Sequence, residues 1–202
     1  MEFVFQIAIL ILSVVVHEVS HGYAALYLGD KTAFYQGRLT LNPLRHLDPV
    51  GSFFVPLITY TLGGFILGWA RPVPFNPYNL RNQRWGEAIV AAAGPLSNIL
   101  LALIFGLSIR FFAPVLALPE SFILVAQIVV FINLILAIFN LIPIPPLDGS
   151  KILFALLPPS LYNLRINLER FSLFLVLIFV FFLWKWLIPV VLNIFSLITG
   201  LS

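Results

Sequence analysis

His17-Glu18-Val19-Ser20-His21 is the stretch whose residue types and spacing can do chemistry. Two histidines at i and i+4 lie on one face of a helix, one turn apart. That spacing lets both imidazoles reach a single zinc ion. The intervening carboxylate can then act as general base on water at the metal. The surrounding run from Phe3 to Leu28 is apolar and reads as a retained first membrane helix. Ionisable groups at the centre of such a helix cost about 2.5–3.5 kcal/mol each. Three within one turn need a compensating partner, and a metal supplies one. The competing reading has His17 and His21 hydrogen-bonding to groups on neighbouring helices, which leaves Glu18 unpaired in the bilayer.

A hydrolytic zinc site has three protein ligands and one open position. The chain has no cysteine, so the third ligand must be His46 or one of the acids Glu2, Asp30, Asp48, Glu87, Glu120, Asp148 and Glu169. Most of these sit in loops or at helix ends, where a capping or solvated role suffices. Asp148 differs. It closes the segment Asn140-Leu-Ile-Pro-Ile-Pro-Pro-Leu-Asp148-Gly149, directly after an apolar span. Non-helical backbone at membrane depth is tolerated only where it is buried in protein or lines a cavity. Asp148 can also cap a helix that begins near Ser150. His46 is expected to pair with Asp48 or to sit at the membrane interface.

The elements that must position these groups are hydrophobic. Of 202 residues, 61% are hydrophobic and 9% charged, against roughly 25% charged in soluble domains. That excludes a soluble enzyme, a nucleic-acid binder and a disordered chain, and leaves an integral membrane protein. The net charge of +3 is too small and scattered for a nucleic-acid patch. Apolar stretches run over Phe3–Leu28, Val50–Trp69, Ala88–Phe112, Ser121–Ile142 and Phe171–Ile188, with a short apolar tail, Pro189–Leu201. The expected fold is an all-α polytopic membrane protein of about 5–6 hydrophobic segments. Between the first and second full spans we expect a short membrane-associated β or re-entrant region. Tyr35–Leu41 alternates with period two, and Gly63–Ala70 is rich in glycine and aromatic residues, so each reads as a short strand able to pair with an extended substrate. Trp69, Trp85, Trp184 and Trp186 read as interface anchors. The whole chain, 1–202, reads as one integral membrane domain, with a core at 3–157 and C-terminal helices at 160–202.

Three motifs in this order are specific: HEVSH in an apolar helix, Ala93-Gly94-Pro95-Leu96-Ser97-Asn98 in a later span, and NLIPIPPLDG after another. Together they resemble the site-2 protease family of intramembrane zinc metalloproteases, over about residues 3–157. The resemblance implies one zinc ion held by His17, His21 and Asp148, with Glu18 as catalytic base. It implies that Asn140 holds substrate near the metal, and that Asn98 either contacts the site or satisfies backbone groups between helices. It also implies peptide-bond hydrolysis within transmembrane segments of membrane-protein substrates, in regulated intramembrane proteolysis. The PDZ domain that many members carry has no counterpart in this sequence.

Topology gives an independent expectation. His17 and His21 lie about 21 and 27 Å along the first helix, near its far boundary. Asp148 follows a span about 33 Å long. Both share a face only if an even number of crossings separates them, so Val50–Trp69 must be re-entrant. Lys31, Arg38, Arg45, Arg71, Arg81, Arg84, Lys151, Arg165 and Arg170 then lie on one side and Arg110 alone on the other. The positive-inside rule places the amino terminus outside and the site near the cytoplasmic face of the cell membrane. Two other functions were weighed. A metal-ion transporter would repeat such groups in several spans. A non-proteolytic binder of membrane segments would lack Glu18 or a ligand, and all four groups are present.

Overall fold

Small residues set how closely the long helices meet. The computed structural model describes residues 2–48, 50–54, 58, 61 and 70–201. Helix α1 (Glu2–Tyr27) buries Ser13, His17, His21 and Ala25, a row with a spacing of four. After a four-residue helix, α2 (Thr32–Tyr35), comes α3 (Gly86–Leu107). Its buried stripe is Ala88, Ala91, Gly94, Asn98, Ala102 and Gly106. Side chains this small let α1 and α5 (Glu120–Asn140) approach its backbone closely. Helix α5 presents Ala126, Val130, Asn133, Leu134 and Ala137 in return. Outward-facing Leu96, Leu100, Ile104 and Phe122 are exposed, as lipid contact requires.

Among the described residues three helical stretches are long and apolar enough to cross a membrane: Phe5–Tyr27, Gly86–Leu116 and Glu120–Asn140. The second continues α3 through a π-turn at Ser108–Phe112 and the short α4 (Ala113–Leu116). Proline then ends α5, and α6 (Asp148–Leu156) begins at Asp148. Helix α7 (Tyr162–Arg170) is polar and exposed. Helices α8 (Ser172–Ile178) and α9 (Trp184–Thr199) flank a π-turn, with a 68° bend between Ser172–Phe182 and Lys185–Thr199. The pair counts as a fourth span only if the two arms form one broken crossing.

Among the described residues there are three helices of spanning length and one bent pair, and the expected 5–6 segments are not confirmed. Val50–Trp69 falls largely outside the described residues; Val50–Phe54 within it forms a π-turn. Residues 189–199 belong to α9, whose Leu187 and Val191 enter the core with Ala102, Ile109, Ala126, Val130 and Leu134.

The expected strand at Tyr35–Leu41 is absent, and the described residues contain no strand. The reason is local hydrogen bonding. The Asp30 carboxylate accepts from Thr32 N at 3.2 Å and Thr32 Oγ1 at 2.6 Å, which starts a helical turn. Gly37, at φ +61°, then reverses the chain. The Gly37 and Arg38 N–H groups donate back to the Phe34 and Ala33 carbonyls, so neither is left for a ladder. The second expected strand, Gly63–Ala70, lies outside the described residues except Ala70.

Asp30 also ties this turn to the extended segment 70–76. Its carboxylate accepts from Asn76 N and Asn79 Nδ2, both at 2.8 Å. Burial pushes its pKa up, but the donors from Thr32, Asn79 and Asn76 outweigh that and hold it below the usual carboxylate value. The stability it contributes is present above the unfolded-state pKa of about 3.9 and is lost as pH falls through the lower folded value. Asp30→Ala is expected to cost about 1–3 kcal/mol at neutral pH. Thermal unfolding in detergent at pH 7 and below pH 4 checks this; the variant should lose part of the parent's acid sensitivity.

Candidate metal centre

Three ligand atoms converge where α1, α3 and α6 meet. His17 Nε2 lies 3.1 Å from Asp148 Oδ2, His21 Nε2 lies 3.2 Å from the same oxygen, and the two nitrogens are 3.0 Å apart. The residues are 6%, 9% and 6% exposed, so water does little to screen them. Ligand atoms around a tetrahedral zinc with bonds of about 2.0–2.2 Å are themselves about 3.3 Å apart. The observed triangle fits that spacing. Among the described residues no other three His, Asp or Glu side chains come together in this way.

The outer nitrogens fix the tautomers. His21 Nδ1 donates to the Val90 carbonyl at 2.7 Å, and His17 Nδ1 donates to Asn98 Oδ1 at 2.6 Å. Each ring therefore turns a lone pair inward from Nε2. Two lone pairs and a carboxylate facing each other call for a cation. Asn98 is itself held: its Nδ2 donates to Asn133 Oδ1 at 2.7 Å. Asn133 Nδ2 donates in turn to Ser13 Oγ at 2.9 Å, on the same row of α1 as His17. This chain of amides crosses the three-helix core from α5 to the metal cluster.

Close packing makes the cluster possible. A Cβ on Gly94 would come within 2.5 Å of the His21 ring and 2.6 Å of the His17 ring. Gly149 faces the backbone carbonyls of Leu141 and Ile142, and any Cβ there would clash with both. That approach folds the Pro-rich segment back so that Asp148, at the first turn of α6, reaches α1. Pro95 within α3 removes the N–H that would bond the Ala91 carbonyl. The neighbouring Val90 carbonyl is the one that accepts from His21.

A cavity of about 200 Å³ opens beside the cluster, lined by His17, Glu18, His21, Asn140, Asp148 and Lys151 and by Pro72, Val73, Phe75, Val90 and Pro146. Glu18 is half-buried there, and its Oε2 accepts from Val73 N at 2.8 Å. Asn140 borders the same space while its Nδ2 donates to the Leu136 carbonyl. Asn98 is fully buried and does not border the cavity; it holds a histidine instead. His46 is also buried, with Nε2 on the Thr40 carbonyl at 2.8 Å, and it is not part of the cluster.

Sequence reasoning missed Asn133, Ser13, Val73 and Lys151. Asn133 had a legible signal, an amide in the middle of an apolar span, where such a group needs a partner. Ser13 stands four residues before His17, on its face. Val73 acts through its backbone, which no residue type announces. Lys151 Nζ lies 3.5 Å from Asp148 Oδ1, the oxygen turned away from the histidines.

A closed set of two imidazoles and one carboxylate, beside a cavity carrying another carboxylate and within lipid-facing helices, has the make-up of a membrane-embedded metallopeptidase. The comparisons agree. The sequence matches Peptidase family M50 over residues 5–122 and 116–184, and the chain belongs to that family. It is 40% identical over 180 residues to "Putative zinc metalloprotease YwhC" of Bacillus subtilis, covering 83% of this chain and 77% of that one. It is 34% identical to "Putative zinc metalloprotease Rip2" of Mycolicibacterium smegmatis, covering 73% and 55%. With the protein of the same name from Mycobacterium tuberculosis the identity is 31%, covering 87% and 66%. No solved structure matches.

Loss of the outer contacts should be read in the metal. Asn98→Ala is expected to weaken zinc binding about 10–100-fold, measured by chelator competition on the purified chain. Gly94→Ala should displace both rings and leave less than one zinc per chain, with helix content by circular dichroism unchanged.

Proposed function

We propose that the protein is an intramembrane zinc endopeptidase that cleaves peptide bonds in or near transmembrane segments of other membrane proteins, in regulated intramembrane proteolysis. One observation carries the reading: His17, His21 and Asp148 place their ligand atoms within 4.8 Å of one another, on a cavity that Glu18 shares. In this reading those three residues hold one zinc ion per chain and Glu18 is the base. Bound zinc supplies Lewis acidity, which polarises a peptide carbonyl and makes water acidic enough to deprotonate near neutral pH.

The chain's own groups do the rest. Glu18 takes the proton from the attacking water and delivers it to the leaving amine, so the carboxylate is regenerated each turnover. Its Oε2 is held by the Val73 N–H, which fixes the carboxylate beside the cavity. Asn140, at the cavity edge, is placed to contact the substrate backbone. Asn98 orients His17 and touches no substrate. The core at 3–157 carries the site, and the helices beyond it buttress α3 and α5.

The placement in the membrane follows from the same contact. The cluster joins α1 to the start of α6, and two helices of spanning length lie between them. An even number of crossings puts both ligand sets on one face, which fits the Arg81 N–H donating to the Leu28 carbonyl, so that the chain leaves α1 and enters α3 on the same side. With nine basic residues on that side, the site lies near the cytoplasmic face and the amino terminus outside. The transporter reading loses support, because the described residues hold a single cluster rather than a series along a path.

Cleavage of a model transmembrane substrate by the purified chain in detergent tests the reading. Glu18→Gln should lose turnover at least about 100-fold while retaining zinc, and Asp148→Ala should lose both. Turnover that survives in Glu18→Gln, or zinc uptake into vesicles without cleavage, overturns it.

A further inference from the structure

Arg38 is a buried cation, 7% exposed, that takes no part in the metal cluster. It lies in the 35–41 stretch that was expected to be a strand. Its Nη2 donates to two successive carbonyls, Arg71 O at 2.8 Å and Pro72 O at 3.3 Å. The Pro72 carbonyl belongs to the same peptide group as the Val73 N–H. That N–H is the donor held by Glu18 Oε2 at 2.8 Å. One rigid peptide plane therefore has a guanidinium on its oxygen and the Glu18 carboxylate on its nitrogen.

The surroundings make this plane a fixed reference. The Arg71 N–H donates to the His46 carbonyl at 2.8 Å, and the Asn76 N–H to Asp30. Pro72 and Pro74 restrict the backbone on either side of Val73. A cation on a carbonyl polarises the amide and strengthens the bond its N–H makes.

We propose that Arg38 is a positioning residue for Glu18, acting through the Pro72–Val73 peptide. The inference rests on the reading of Glu18 as the base. Arg38 touches neither substrate nor metal in this account. It holds Oε2, and with it the carboxylate, in place at the cavity.

The experiment uses the full chain in detergent with a model transmembrane substrate. It follows kcat, KM, zinc content and thermal midpoint for Arg38→Gln, Arg38→Lys, Val73→Pro and the Arg38/Val73 doubles. Val73→Pro removes the N–H and leaves Arg38 intact. Arg38→Gln should lower kcat about 10–100-fold, with KM and zinc content unchanged. Arg38→Lys, which keeps the charge on a shorter side chain, should fall in between. The double variant should be no slower than Val73→Pro alone, because both changes break one path.

An unchanged kcat in Arg38→Gln overturns the proposal. So do losses that multiply in the double variant, or a loss that follows zinc content. Should Arg38→Gln fail to fold, Arg38→Lys decides. A severalfold loss that disappears in the Val73→Pro background supports the proposal, and an equal loss in both backgrounds, or none in either, overturns it. Glu18→Gln run alongside separates the two readings. If it retains turnover, the base assignment fails; if it is inactive while Arg38→Gln is normal, only the role of Arg38 fails.

Discussion

Once His17 donates to Asn98 and His21 donates to the Val90 carbonyl, two imidazole lone pairs face each other 3.0 Å apart. Asp148 adds a carboxylate oxygen to the same point. Three acceptor atoms meeting at one buried point favour a cation between them. The rest of the structure supplies the conditions for it. Every outer polar atom of the histidines has a partner, and each partner is anchored by another, as far as Asn133 and Ser13. The fold thus removes the alternative tautomers and leaves a site whose inward electronic demand a divalent metal meets.

The same demand explains where the small residues fall. Gly94 and Gly149 are the two points at which backbone and imidazole, or backbone and backbone, approach too closely for a Cβ. The alanines of α3 continue that close contact away from the site. The Pro-rich turn before Asp148 is an economical way to bring a carboxylate from the end of one span to the histidines of another. Base and metal cluster are then positioned from different directions, the histidines by the helix core and Glu18 by the extended segment over the cavity.

Much of this was legible in the sequence. The HEVSH spacing carries two candidate ligands and a candidate base in residue type and interval, whereas Asp148 stood out among eight candidates for the third ligand and was assigned through the family resemblance of the LDG segment. The helices were legible in their length and apolarity, although bends were not. Hydropathy sees the apolar run at 171–188 but not the break between α8 and α9. The 35–41 stretch misled because its alternation satisfies a strand pattern, while the outcome was decided by Asp30, outside it, capturing Thr32. Backbone donors and acceptors, such as Val73 N–H and Val90 C=O, leave no trace in residue type. They became visible only when the chain was folded.

The central claim is the identity of the ligands, and zinc K-edge X-ray absorption on the purified, zinc-loaded chain tests it most directly. The account predicts one zinc with two imidazole nitrogens and oxygen donors at about 2.0–2.2 Å. The chain has only three histidines, so a spectrum with three imidazoles would bring in His46. That spectrum, or one with no imidazole at all, would contradict the site described.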